Sequence, residues 1–140
     1  MPVGGERGEE AMNLEKHKLV ISNAFSLTML QHFDAAKVLV RRVSLDEVRR
    51  EIERAKQSGY EIVSAIGHES TARLVSQLLG FEVPMNRIQV SLDYRTDLLV
   101  FQLRTRLPEG KILSEEELKQ VEYDFYIVSL EPLQSPPQRG

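Results

Sequence analysis

Tyr60-Glu61-Ile62-Val63-Ser64-Ala65-Ile66-Gly67-His68-Glu69-Ser70-Thr71 decides the fold. The first seven residues lean apolar and β-branched and read as a strand. Gly67 lets the backbone turn sharply and lets a ligand approach closely. Over 71–79, Ala72, Val75, Leu78 and Leu79 fall on one helical face, and Gly80 stops the helix. A strand, a tight turn and a helix start are the unit of an α/β domain. Ser70 or Thr71 is expected to cap the helix. Free N–H groups at a helix start face whatever binds and suit an anion such as phosphate. His68 reads either as a turn residue bonded to backbone or as a group that exchanges a proton near neutral pH.

Working outward, 18–22 reads as a first buried strand, followed by a short helix over 27–33 that Ser26 is placed to cap. A second strand covers 36–43. Ser44 and Glu47 form a capping box for a helix with Leu45, Val48, Ile52 and Ala55 on one face, stopped by Gly59. Its arginines, interleaved with Glu47, Glu51 and Glu53, read as a solvated, internally paired face. Beyond Gly80, 81–86 is a loop and a candidate lid. The strict alternation over 87–94 predicts a strand that turns at 94–97 and returns over 98–104 as a hairpin. Ser114 and Glu117 form a second capping box for a short helix to Val121, and 123–130 is the last strand. The expectation is an α/β fold, a single domain over 16–131. It has a central mixed β-sheet flanked by helices and a β-hairpin in the second half, between a disordered leader (1–15) and tail (132–140).

The 140 residues carry a net charge of -3, which argues against a general nucleic-acid coat and against double-stranded nucleic acid as a partner. There is no cysteine, hence no disulfide framework or thiolate metal site, as fits a reducing cytoplasm. No apolar run is long enough to span a membrane. Walker, dinucleotide-fingerprint and nucleophile-elbow motifs are absent, and His17, His32 and His68 are too scattered to suggest a metal site.

What remains is a set of polar residues at element ends: Ser26 after the first strand, His68 after the third, Arg87, and Arg106 with Glu109 after the return strand. Ligands of α/β sheets gather at the carboxyl ends of strands. Each residue alone fits a structural role as a cap, a flanking charge or a turn. Together they suit metal-free cleavage of a phosphodiester. Arginine offers paired donors to phosphate, histidine can protonate a leaving 5′-oxygen, and glutamate can orient a hydroxyl or the imidazole.

Four blocks, in order, carry a resemblance: Asn23-Ala24-Phe25-Ser26-Leu27-Thr28-Met29-Leu30; Gly67-His68-Glu69-Ser70-Thr71-Ala72; Asn86-Arg87-Ile88; and Arg106-Leu107-Pro108-Glu109-Gly110-Lys111-Ile112-Leu113. Over about 18–130 the chain resembles the viral ring nucleases, the type III anti-CRISPR proteins. The resemblance implies a homodimer that opens cyclic tetra-adenylate without metal or other cofactor, giving linear di-adenylate with 2′,3′-cyclic phosphate ends. It implies His68 as general acid and Glu109 as its catalytic companion. It also implies Ser26, Arg87 and Arg106, with Asn23, Gly67 and Thr71, as substrate-binding positions. The reading from another class is a sponge or sensor that holds the cyclic nucleotide without cutting it.

Overall fold

Five strands, Lys18–Ser22 (β1), Lys37–Val43 (β2), Glu61–Ala65 (β3), Thr96–Leu103 (β4) and Tyr123–Glu131 (β5), form one mixed sheet in this computed structural model. The model describes residues 15–106 and 112–133. The strand order is β2-β5-β4-β1-β3. β3, β1 and β4 run parallel, with Ser22 opposite both Ala65 and Val100, while β5 runs antiparallel to β4 and β2. The helices are Leu45–Gln57 (α1), Glu69–Leu79 (α2) and Glu115–Gln120 (α3), and a single 3-10 turn covers Leu27–Leu30.

Alternation along the strands builds two cores. On one face Ile21, Leu99, Phe101, Phe125 and Ile127 pack under Val48, Ile52 and Ala55 of α1 and Ala72, Leu74, Val75 and Leu78 of α2. On the other, Val20, Leu98, Val100, Val128 and Leu130 lie under Met29 and Leu92.

The expected capping boxes form. Glu47 N–H donates to Ser44 Oγ at 3.1 Å and Ser44 N–H to Glu47 Oε1 at 2.9 Å, with the same pairing at Ser114 and Glu117. α1 ends with Gly59 at φ +75°. Its N–H bonds Lys56 O (3.1 Å) and Tyr60 N–H bonds Ala55 O (2.9 Å), which closes the last turn. Arg54 pairs with Glu51 at 2.7 Å, as the solvated face requires. Arg49 does more: its Nε and Nη2 donate to Leu78 O at 3.2 and 2.8 Å, joining α1 to the end of α2.

Two expectations are corrected. The segment 87–94 forms no strand and no hairpin with β4. Both edges of β4 are taken, by β1 and β5, so a further strand cannot pair with it. The segment crosses the second face of the sheet instead, and Leu92 N–H donates to Met29 O at 2.9 Å. The alternation still tells which side is apolar, since Val90, Leu92 and Tyr94 face that core, while Ile88 remains exposed. The helix expected over 27–33 shortens to the 3-10 turn, and Ser26 makes no side-chain cap. Its hydroxyl pairs with Thr28 Oγ1 at 2.8 Å instead of a backbone N–H, and Met29 N–H donates to the Ser26 carbonyl at 3.0 Å.

Candidate functional site

The three parallel strands end at one edge of the sheet, and the loops leaving them carry the candidate residues. Asn23 follows β1 directly and Gly67 lies two residues past β3. Asn23 Oδ1 accepts the N–H of Gly67 at 3.1 Å, and Arg87 Nε donates to the carbonyl of Gly67 at 2.9 Å. The peptide groups on both sides of Gly67 are therefore held by side chains from two other segments. Gly67 does not adopt positive φ, so the turn itself makes no steric demand for glycine.

This clamp presents His68. The histidine is the N-cap of α2 in extended geometry (φ -130°, ψ 135°), exposed, and its side chain makes no capping bond. The expectation that Ser70 or Thr71 caps the helix is thus corrected: the helix begins one residue earlier than Ser70, at Glu69, which puts both residues inside its first turn. Glu69 is drawn aside by Arg73, at 3.0 Å. Thr71 is only 9% exposed. With no side-chain cap, the helix start turns its positive end outward beside His68.

Asn23, Gly67, His68 and Arg87 are thus brought together. Ser26 is exposed four residues past β1, and Arg106 is exposed three residues past β4, at the same edge but without a direct bond to that group. Arg106 forms no ion pair or hydrogen bond with another of the described residues. Glu109 lies outside the described residues. The segment 81–86, expected as a lid, is tied down: Ser76 Oγ accepts from Val83 N–H (2.8 Å) and donates to Val83 O (3.1 Å), Lys56 sits 4.3 Å over the Phe81 ring, and Met85 bridges Ile66.

A pocket of about 280 Å³ that no sequence pattern announces lies on the second face of the sheet, lined by Phe25, Val40, Val100, Gln102, Tyr126 and Val128. It assembles from three adjacent strands and the loop after β1, so only the register (Val40 opposite Val128, Val100 opposite Tyr126) reveals it. Opposite Gln102 in the sheet register, Asp124 receives Arg104 Nε at 3.0 Å and stands 3.9 Å from Arg42 Nε. Among the described residues, no group of three or more His, Cys, Asp or Glu side chains could hold a metal ion. No helix among the described residues is long and apolar enough to cross a membrane.

The model of one protein family, described as STIV B116-like, matches residues 19–125. The chain belongs to the STIV B116-like family. The match runs from β1 into β5, and all of the candidate residues, from Asn23 to Glu109, fall within it. The solved structure of B116 of Sulfolobus turreted icosahedral virus is 32% identical, covers 80% of this chain and 98% of its own, and superposes with a TM-score of 0.70. Uncharacterized protein 26 of Sulfolobus islandicus filamentous virus is 43% identical over 79 residues, 54% of this chain and 67% of that protein. Uncharacterized protein ORF117 of Acidianus two-tailed virus is 35% identical over 96 residues, 68% of this chain and 80% of its own. Outside viruses, uncharacterized protein YddF of Bacillus subtilis is 31% identical over 88 residues, 63% of this chain and 79% of its own. B116-like proteins therefore occur in archaeal viruses and in a bacterium, on the same single-domain, five-stranded mixed sheet in the solved case.

Proposed function

We propose that this protein is a metal-independent ring nuclease. It opens cyclic tetra-adenylate to linear di-adenylate with 2′,3′-cyclic phosphate ends, and so silences type III CRISPR signalling in the cytoplasm of a prokaryotic host. The observation that carries the reading is the clamped Gly67: Asn23 and Arg87 fix its two peptide groups, and the next residue is an exposed histidine at an uncapped helix start. That is an arrangement for a phosphodiester beside a proton donor.

The attacking group is the ribose 2′-hydroxyl of the substrate, so the protein needs no nucleophile of its own. The 2′-hydroxyl gives up its proton, to Glu109 or to solvent water, and its oxygen bonds to phosphorus as the P–O5′ bond breaks. His68 gives its proton to the departing 5′-oxygen, and Glu109 assists at the 2′-hydroxyl or at the imidazole. Arg87 spends only Nε on Gly67, which leaves its terminal nitrogens for phosphate oxygens. Arg106 adds charge from beyond the end of β4 at the same edge, and this local positive field suits an anionic ring in a chain of net charge -3. Phe25 and Tyr126 offer aromatic faces and Gln102 an amide edge that matches the N6 and N7 of adenine. A homodimer shares its two-fold axis with a cyclic tetranucleotide, and two equivalent sites then yield two dinucleotides.

The test is incubation with cyclic tetra-adenylate in excess chelator and chromatography of the products. Cyclic-phosphate di-adenylate in more than one equivalent per dimer is the expected result. An intact ring held by the protein makes it a sponge, and an intact free ring ends the proposal.

A further inference from the structure

We propose that Asn86 is a positioning residue for Arg87, setting the guanidinium that the proposed function assigns to a phosphate of the ring. Arg87 is exposed and sits in a segment with no regular secondary structure. A long side chain on such a segment would lose rotamer and backbone freedom on every binding event. Here much of that ordering is done in advance. Asn86 N–H donates to Ile66 O at 2.8 Å, and its side-chain Nδ2 donates to Ser64 O at 2.6 Å. Asn86 O in turn accepts Ile88 N–H at 3.1 Å, and Ser64 Oγ donates to Pro84 O at 2.6 Å. Pro84 and Asn86, just before Arg87, are thereby laced to β3 and the residue that follows it, the stretch that leads into Gly67 and His68, and Ile88 on the other side is tied to Asn86.

The side-chain bond is what a different residue would lack. A backbone N–H is available to almost any amino acid, whereas reaching the Ser64 carbonyl needs a short side chain with a donor. Asn86 supplies it from a partly buried position, where water replaces it poorly. With the backbone of Arg87 fixed, its Nε meets Gly67 O at 2.9 Å and its terminal nitrogens take no part in that bond. Asn86 touches no substrate in this scheme and acts only through Arg87.

The experiment is a double-mutant cycle on the full chain with Asn86→Ala, Arg87→Ala and the pair. Steady-state cleavage of cyclic tetra-adenylate is measured, with thermal melts to confirm folding. Asn86→Ala is expected to lower kcat/KM about tenfold, Arg87→Ala about a hundredfold, and the pair no more than Arg87→Ala alone. Wild-type kcat/KM in Asn86→Ala, or losses that multiply in the pair, would overturn the inference. A second measurement needs no ligand: the Arg87 Nε–H resonance should exchange slowly in the wild type and fast in Asn86→Ala or Asn86→Asp. Equal protection in all three overturns the inference even if the ring proves not to be the substrate. Absence of any cleavage or binding by the wild type would count against the proposed function alone.

Discussion

A Cβ added to Gly67 would meet one neighbour within 4 Å among the described residues, the Cγ of Arg87 at 3.8 Å, an ordinary contact. Neither φ nor packing among the described residues therefore demands glycine there. What a methyl group would obstruct is something arriving from outside. Gly67→Ala is expected to change stability by less than about 1 kcal/mol, because the alanine also restricts the unfolded chain. The same variant should bind cyclic tetra-adenylate clearly more weakly. A thermal melt and a titration on one sample check both. Unimpaired binding would show that the ligand does not approach this backbone.

His68→Ala should remove most turnover while leaving affinity for the ring largely intact, since the side chain makes no bond that the fold needs. Loss of a general acid typically costs about a hundredfold or more in rate. Cleavage at the wild-type rate would take the acid role away from His68. Glu109→Ala should also slow cleavage, and comparing its pH–rate profile with that of the wild type tells proton handling from simple positioning.

Arg49→Ala should destabilise the fold by about 1 kcal/mol, as the lost bonds go to a carbonyl from a half-exposed cation. Arg49→Lys should recover little of this, because one ammonium cannot reproduce the two-pronged contact with Leu78 O. Denaturant melts of the three proteins decide it.

Glu47 has its carboxyl held below the usual range, first by the backbone N–H of Ser44. A depressed native value means that the capping box contributes fully above about pH 4.5, the ordinary value, and is lost as pH falls through the lowered one. Glu47→Gln should therefore melt closer to the wild type at pH 3 than at pH 7. An equal gap at both would remove the charge from the account.

Local signals in the sequence were enough for α1, both capping boxes and the strand-turn-helix around His68, because caps, glycine stops and apolar periodicity act within a few residues. The run 87–94 shows where that ends. Its period of two announces which side chains are buried, yet whether it pairs depends on β1 and β5 having already filled both edges of β4. Ser26 misled for a similar reason, since Thr28 Oγ1 competes for its hydroxyl. In the candidate site, Asn23 and Gly67 stand out as residue types just past strand ends, and Arg87 as a cation at the start of the alternating run. The bonds that join them span three segments and are invisible in any one. The pocket of Phe25, Gln102 and Tyr126 needed the sheet register, which no local pattern carries.

The strand order also governs how the molecule comes into being. β4 lies between β1 and β5 but is made after β1, β2 and β3, and Lys18 waits for Thr96 just as Lys37 waits for Glu131. While a ribosome is still short of residue 96, β1 can pair only with β3, and β2 has no neighbour at all. The apolar side chains of Val20, Ile21 and Val43 then have no finished interior to enter. Such non-local closure makes folding slow, on the order of milliseconds to seconds, and lays open strand edges in the meantime. Lys37, Arg41 and Arg42 on the last-satisfied strand give the nascent chain charges that discourage it from pairing with another copy of itself.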